Sequence, residues 1–415
     1  MQLKKQVSLR QALAMATTTL LGNVANAASA DNGWDVDSSI LYYSEVDRIT
    51  VIKPVIEAKK NLGDDEIITV RGVIDSLSGA SPNGAIPQTT AQTFTSASGR
   101  DSYTVNANET PMEPSFEDRR YALNASWDKP LTRLTKTVLG VNGSTETDYV
   151  SLGLIATLSS DFNQRNTTVT AALAVNKDTI EPFNGVPIPF SPMIVGIDMQ
   201  SSGTTENKSV IDTLFGVTQV INRTTIAQLN LNIGNDAGYL TDPYKIISVT
   251  NPGTPTLRGV NPYLYEHRPD SRRRQALYGK LIKNLGGDVL RTSYRYYQDS
   301  WGIKSHTVDA QYQWQLAELQ YLQPHFRFYK QSKADFYYYN LEDGTLPEFA
   351  SADYRLGDLE TSTAGFKYGY SLGKDSELSV RLEHMKQAAA GDDPFPDVEA
   401  NFIQLGFITR FNGFW

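Results

Sequence analysis

From residue 66 onward apolar side chains recur at every second position, in runs separated by polar turns. A period of two marks β-strands with one greasy and one polar face. In the last run Ile403, Leu405, Phe407, Thr409 and Phe411 share one face, and Gln404, Gly406, Ile408 and Arg410 share the other. Leu378, Val380 and Leu382 alternate with Ser379, Arg381 and Glu383; Leu322, Pro324, Phe326 and Phe328 alternate with Gln323, His325, Arg327 and Tyr329. The same alternation runs through 290–297, 307–314, 364–370, 227–233, 169–175, 150–158 and 121–127. Counting back to Glu66 predicts about 14 strands, and a further pair over residues 38–59 brings the total to about 16, the even number a bacterial barrel requires. Tyr42-Tyr43 and 49–58 also fit one long strand, or a piece folded into the lumen.

A soluble sandwich alternates too, so the polar face has to decide. Arg291, Arg295, Asp309, Arg327, Lys367, Arg381, Glu383 and Arg410 fall on one side of the strands and aromatics on the other, which suits an all-β transmembrane antiparallel up-and-down barrel with lipid outside and water inside. Aromatics gather at predicted strand ends, as in Tyr294, Tyr296, Tyr312, Trp314, Tyr368, Tyr370 and Phe411, where interfacial girdles belong. Short joins near 128–131, 160–163, 222–223, 284–287, 316–318 and 373–375 alternate with long ones near 77–117, 177–205, 234–271, 331–357 and 387–399. Short periplasmic turns and long extracellular loops have that asymmetry. The chain stops on Phe414-Trp415 after QLGFITRF, which resembles the terminal-strand signal read by the barrel-assembly machinery, with Thr409 departing from its apolar slot.

Composition narrows the classes. No run of about 20 apolar residues exists to form a membrane helix. The chain has no cysteine, which excludes disulfide frameworks, thiolate zinc sites, cysteine-held iron–sulfur clusters and covalent c-type haem. Residues 1–27 read as a secretory signal: Lys4, Lys5 and Arg10, then apolar 12–21, then Ala25-Asn26-Ala27 as a cleavage site. With 38 basic and 46 acidic residues in the whole chain and three of the basic ones in the leader, the mature barrel domain, 28–415, carries 35 minus 46, or -11. That balance argues against nucleic acid as a partner and leaves an exported, acidic protein of the outer membrane, in contact with its lipids.

No enzyme constellation stands out, and no catalytic, cofactor-binding or metal site is expected. Only His325 of the four histidines falls on the predicted lumen face, where a lining role outweighs a catalytic one. Asp392, Asp393, Asp397 and Glu399 share a loop whose spacing fits no calcium motif. The lumen candidates Arg291, Arg295, Asp309, His325, Arg327, Lys367, Arg381, Glu383 and Arg410 support two readings equally: a pore lining with a positive excess that favours anions, or cross-strand pairs that stiffen the wall or hold a plug. The loop from Asn235 to Ser271 is rich in turn formers and aromatics, and Asp242, Pro243, Tyr244, Arg268, Asp270 and Arg272 are candidates for a motif folded into the barrel mouth; an exposed loop is the rival reading.

Several stretches together carry a resemblance: Tyr42-Tyr43 with 45–48, DSLSGASPNGA at 75–85, Arg165-Asn166-Thr167-Thr168, GVTQVIN at 216–222, GYLTDPYK at 238–245 and RPDSR at 268–272. In these the chain resembles a family of uncharacterised bacterial outer-membrane β-barrels that are typically encoded beside a periplasmic flavin transferase and a small flavinylated lipoprotein. The resemblance implies a barrel serving as pore or sheath for a flavin-based extracytoplasmic electron-transfer system, with the flavin on the partner. A diffusion porin is the alternative, and an outer-membrane hydrolase a distant third.

Overall fold

A computed structural model describes residues 33–97, 99, 101–390 and 397–412. The leader and Phe414-Trp415 lie outside these residues, as do Asp392 and Asp393. Sixteen antiparallel strands form one closed barrel: β1 Gly33–Glu45, β2 Ile49–Gly63, β3 Glu66–Pro82, β4 Met112–Pro130, β5 Thr135–Thr145, β6 Tyr149–Phe162, β7 Thr167–Ile180 and β8 Glu206–Asn222. β9 Thr225–Gly238, β10 Ser271–Asn284, β11 Val289–Asp299, β12 Lys304–Ala317, β13 Gln320–Gln331, β14 Leu359–Ser371, β15 Ser376–Ala389 and β16 Val398–Asn412 complete it. Each strand pairs with its neighbour in sequence, and β1 closes the ring on β16 from Gly33 opposite Asn412 to Glu45 opposite Ala400. Residues 38–59 are therefore two strands, joined at 46–48 where Asp47 takes a positive φ of 55°.

Strand parity sorts the side chains as the alternation predicts. Leu152 and Leu154 on β6 are each 65% exposed, and Ile56, Leu123, Phe215, Leu229, Phe326 and Leu405 join them around the outside. Such a surface is costly in water and is what a lipid-facing wall needs, while ring closure leaves no strand edge unpaired. The inward rows carry the charges and small polar residues.

The two ends differ. At one, the seven connections 64–65, 131–134, 163–166, 223–224, 285–288, 318–319 and 372–375 are all two to four residues long. At the other, 83–111, 181–205, 239–270 and 332–358 are long, but 46–48, 146–148 and 300–303 are short, so the long-loop end is less uniform than the sequence pattern predicts. These four loops fold together. Ile246–Thr250 pairs with Tyr263–Tyr265 and runs parallel to Leu341–Glu342, and Gln92–Thr95 forms a hairpin with Ser102–Val105. Phe94, Met193, Ile246 and Tyr263 make one apolar core, Ile247, Val249, Leu264, Leu341 and Ala350 a second, and Trp301, Ile303, Phe336 and Leu356 a third. Ile246 N–H donates to the Asn83 carbonyl at 3.0 Å and Ile86 N–H to Ser248 Oγ at 3.1 Å. Loops that leave the ring at β3, β9 and β13 are far apart around it, so they meet only by crossing the mouth: the barrel has a folded cap.

Candidate functional site

The residues that distinguish this barrel are its inward charges and the polar lock beneath the cap. Register sets the first group. His325 on β13, Gly365 on β14 and Glu383 on β15 are successive cross-strand partners. Because Gly365 has no side chain, Glu383 crosses it and its Oε1 lies 2.8 Å from His325 Nδ1; a Cβ at 365 would stand 2.6 Å from Glu383 Cγ. Asp309 Oδ2 meets His325 Nε2 at 2.9 Å. Carboxylates only accept, so the doubly protonated ring satisfies both contacts. Arg381 Nε stands 3.7 Å from Glu383, and Lys367, cross-strand partner of Arg381, pairs with Glu377 at 3.5 Å. Tyr321 lies over Gly369 and donates to Glu377 at 2.7 Å.

The other basic candidates are differently placed. Arg291 donates to Gln313 at 3.1 Å and Arg295 stacks 5.4 Å from the Tyr297 ring. Arg327 faces Asp309 across the strand pair. Among the described residues none of these three forms an ion pair. Arg410 sits at the short-turn rim, 3.0 Å from Asp35. Some of the candidate charges thus pair across strands, while Arg291, Arg295 and Arg327 do not. Lys280, on the same inward row as Ser293 and Asp309, and Glu377 escaped the sequence reading although strand parity marked both.

Beneath the cap, the mouth-loop candidates form part of a buried ionic lock. Arg268 Nε lies 2.6 Å from Glu266 Oε1, and its Nη2 reaches Glu266 Oε2 at 3.1 Å and Asp353 Oδ2 at 2.9 Å. Arg355 Nε donates to Asp353 Oδ1 at 2.8 Å, and Asp242 N–H donates to Glu266 at 2.7 Å. Ser351 donates to Glu266, and Lys245 donates to the Pro82 carbonyl. Tyr244 donates to Asp148 at 2.7 Å, tying the loop to the β5–β6 turn. Pro243 lies with Tyr244 along a recess of about 250 Å³. Asp270 contributes its carbonyl to Gly238 N–H at 2.8 Å, and Arg272 pairs with Asp299 at 2.5 Å while stacking 4.3 Å from the Trp301 ring.

These charges are out of water, and burial shifts their protonation equilibria. Burial pushes the Lys245 ammonium down to about 8 against the pull of Asp353. Burial alone would raise Asp353, yet Arg355, Arg268 and Lys245 outweigh it and hold its carboxyl well below the usual range. Glu266 is raised because burial exceeds the help from Arg268. Lys245 and Glu266 stand within the stretch singled out in the sequence; Ser351, Asp353 and Arg355 had no signal there, since they come from a second loop. No group of three His, Asp or Glu among the described residues is arranged to hold a metal ion.

A family model described as "Protein of unknown function (DUF3570)" matches residues 10–409. The chain belongs to this family. No curated protein matches it. Among solved structures it is similar to a bacterial polysaccharide outer membrane secretin, at 8% identity and a TM-score of 0.46 over 92% of this chain and 100% of that one. It is also similar to OccK5 (OpdH) of Pseudomonas aeruginosa, at 8% identity and a TM-score of 0.42 over 92% and 98% of the two chains. The ferric enterobactin receptor PfeA of the same organism gives 10% identity and a TM-score of 0.44, covering 87% of this chain and 55% of the receptor. Family membership thus leaves activity open, and the site must argue for it.

Proposed function

We propose that this family member is an outer-membrane conduit, closed at the long-loop side by its cap and accessible from the short-turn side. The observation that carries the reading is the pairing of a lipid-compatible exterior with an inward wall on β10–β15 that holds Lys280, Arg291, Arg295, Arg327, Lys367 and Arg381 against Asp309, Glu377 and Glu383. Six basic groups against three acidic ones favour small anions along that wall. Turns of two to four residues cannot cover the other mouth, whereas the loops of the capped mouth share apolar cores.

Reversal potentials in a salt gradient across a planar bilayer test this. Anion preference is expected, and it should weaken when Arg291→Gln, Arg295→Gln and Arg327→Gln are combined. Cation preference, or a selectivity untouched by the triple variant, would refute it.

The second reading is a sheath for a partner's flavin in extracytoplasmic electron transfer, as the family resemblance implies. What supports it is the same one-sided closure, which suits a group inserted from the short-turn side, together with the absence of any cysteine to hold a cofactor in the wall. Copurification with a flavin-carrying lipoprotein is the expected result on this reading. A barrel purified alone that conducts ions freely would sink it.

A further inference from the structure

We propose that the short-turn rim binds anionic phospholipid headgroups along the arc from β4 to β11, where four consecutive turns each set an exposed cation beside an exposed apolar side chain. In turn order the pairs are Arg133 with Leu131, Arg165 with Phe162, Arg223 with Ile221, and Lys283 with Leu285. The apolar partners are 55%, 55%, 57% and 46% exposed: Phe162 and Ile221 stand at the ends of β6 and β8, and Leu131 and Leu285 are the first residues of their turns. Phe162 and Leu285 continue the outward rows of β6 and β10, so this apolar ring is the direct extension of the lipid-facing wall. Just inside it, Lys129 lies over the outward Trp127 ring at 4.7 Å, the arrangement of an interfacial girdle.

The cations are free to meet a ligand. Arg133, Arg165, Arg223 and Lys283 form no ion pair among the described residues; Arg165 donates only to the Arg133 carbonyl, at 2.7 Å, which ties two neighbouring turns together. The acids of the arc are otherwise engaged: Asp128 pairs with Lys136 at 3.3 Å, Asp161 accepts from Thr168 at 2.7 Å, and Asp288 accepts from Tyr312 at 2.5 Å and Gln315 N–H at 2.9 Å. Asp64, Asp65, Glu318 and Asp375 lie in the turns outside it. With Lys129 and Lys136 the arc holds six basic residues against the three acids Asp128, Asp161 and Asp288, so it is net positive, whereas the other turns set four acids against Lys374.

Charge complementarity and continuity with the lipid wall choose the occupant. Successive turn tips stand roughly 10 Å apart, two strand spacings, so each tip can serve its own lipid. The apolar side chain enters the upper acyl region and the cation meets the phosphate, as long basic side chains do at interfaces. Each such cation changes partition onto an anionic surface by about fivefold.

The proposal rests on the membrane-spanning reading, and the experiment separates the two. The full chain is reconstituted in phosphatidylcholine vesicles carrying either spin-labelled phosphatidylglycerol or spin-labelled phosphatidylcholine, and the motionally restricted lipid fraction is measured. A severalfold preference for phosphatidylglycerol is expected, falling at high salt and approaching parity in the combined Arg133→Gln, Arg165→Gln, Arg223→Gln and Lys283→Gln variant. Lys330→Gln with Lys386→Gln, at the opposite rim, should keep it. Heat-modifiable gel mobility confirms that each variant is a folded barrel. Restricted lipid without headgroup preference, or a preference that survives the fourfold variant, overturns the lipid arc and leaves the membrane reading intact; no restricted lipid of either kind overturns both.

Discussion

Removing Arg268 should unlock the cap while leaving the barrel standing. The guanidinium is the shared partner of Glu266 and Asp353, and both carboxylates are almost completely buried. Without it, Glu266 keeps only the Asp242 N–H and the Ser351 hydroxyl, and Asp353 keeps Arg355. Breaking a buried pair by deleting one partner costs about 3–5 kcal/mol, because a charge is left without compensation. The Arg268–Glu266 pair lies within loop 239–270 and the Arg268–Asp353 pair joins it to 332–358; parting the loops readmits water to the stranded carboxylates and relieves the penalty, while the sixteen strands pair independently of them. At about 1.4 kcal/mol per tenfold, the population with these loops parted rises roughly a hundredfold to several thousandfold in Arg268→Met. Limited proteolysis and amide exchange confined to the two loops should accelerate accordingly, with single-channel open probability rising and gel heat-modifiability unchanged. Adding Glu266→Gln should recover much of the protection, as the stranded charge disappears. If Arg268→Met changes loop exchange by less than about tenfold, or if the thermal transition of the barrel falls with it, the lock is not what holds the cap.

Lys245 gives the cap a pH dependence with a definite sign. Its folded value of about 8 lies below the ordinary 10.5, so folding releases a proton and cap protection should rise with pH between about 8 and 10.5; Lys245→Met should flatten that rise in an exchange-versus-pH series. Asp353 has the same sign at the acid end: its depressed value means that stability present above pH 4 is lost as pH falls below the usual carboxylate range. Gly234→Ala would place a Cβ 2.5 Å from Asp212 Oδ1 and 2.9 Å from Arg274 Cζ, forcing apart a pair that meets across that glycine at 3.1 Å; urea unfolding in vesicles should show a loss of about 1–3 kcal/mol. Leu229→Arg, on the lipid face at 54% exposure, should cost up to about 2–4 kcal/mol by the same assay, whereas Asn222→Arg at the rim should cost less than about 1 kcal/mol. Asn163, Gln164 and Arg165 take φ of 49°, 55° and 66° in succession; Gln164→Gly should raise the unfolding midpoint by relieving about 1 kcal/mol of left-handed strain.

Strand parity along the sequence was enough to name the barrel and its even strand count and to set Arg291, Asp309, His325 and Glu383 on one face, because a pleated strand leaves each side chain only two directions. The alternation of short and long connections was legible for the same reason, although the tight joins at 146–148 and 300–303 were not, since nothing local distinguishes which end of the barrel a turn occupies. Whether the wall charges pair was beyond that information. His325 and Glu383 are 58 residues apart and touch only because Gly365 lies between them in register, and register is set by hydrogen bonding between strands rather than within one. The cap is the larger case. Asp242 and Arg268 drew attention by turn chemistry, but Asp353 and Arg355 come from a loop that leaves the ring four strands away. Their burial exists only once the loops cross the mouth and exclude water together. Local alternation determined which side chains face outward and which face the lumen; the closed ring and the meeting of distant loops decided which charges are partnered across strands and which lock the mouth.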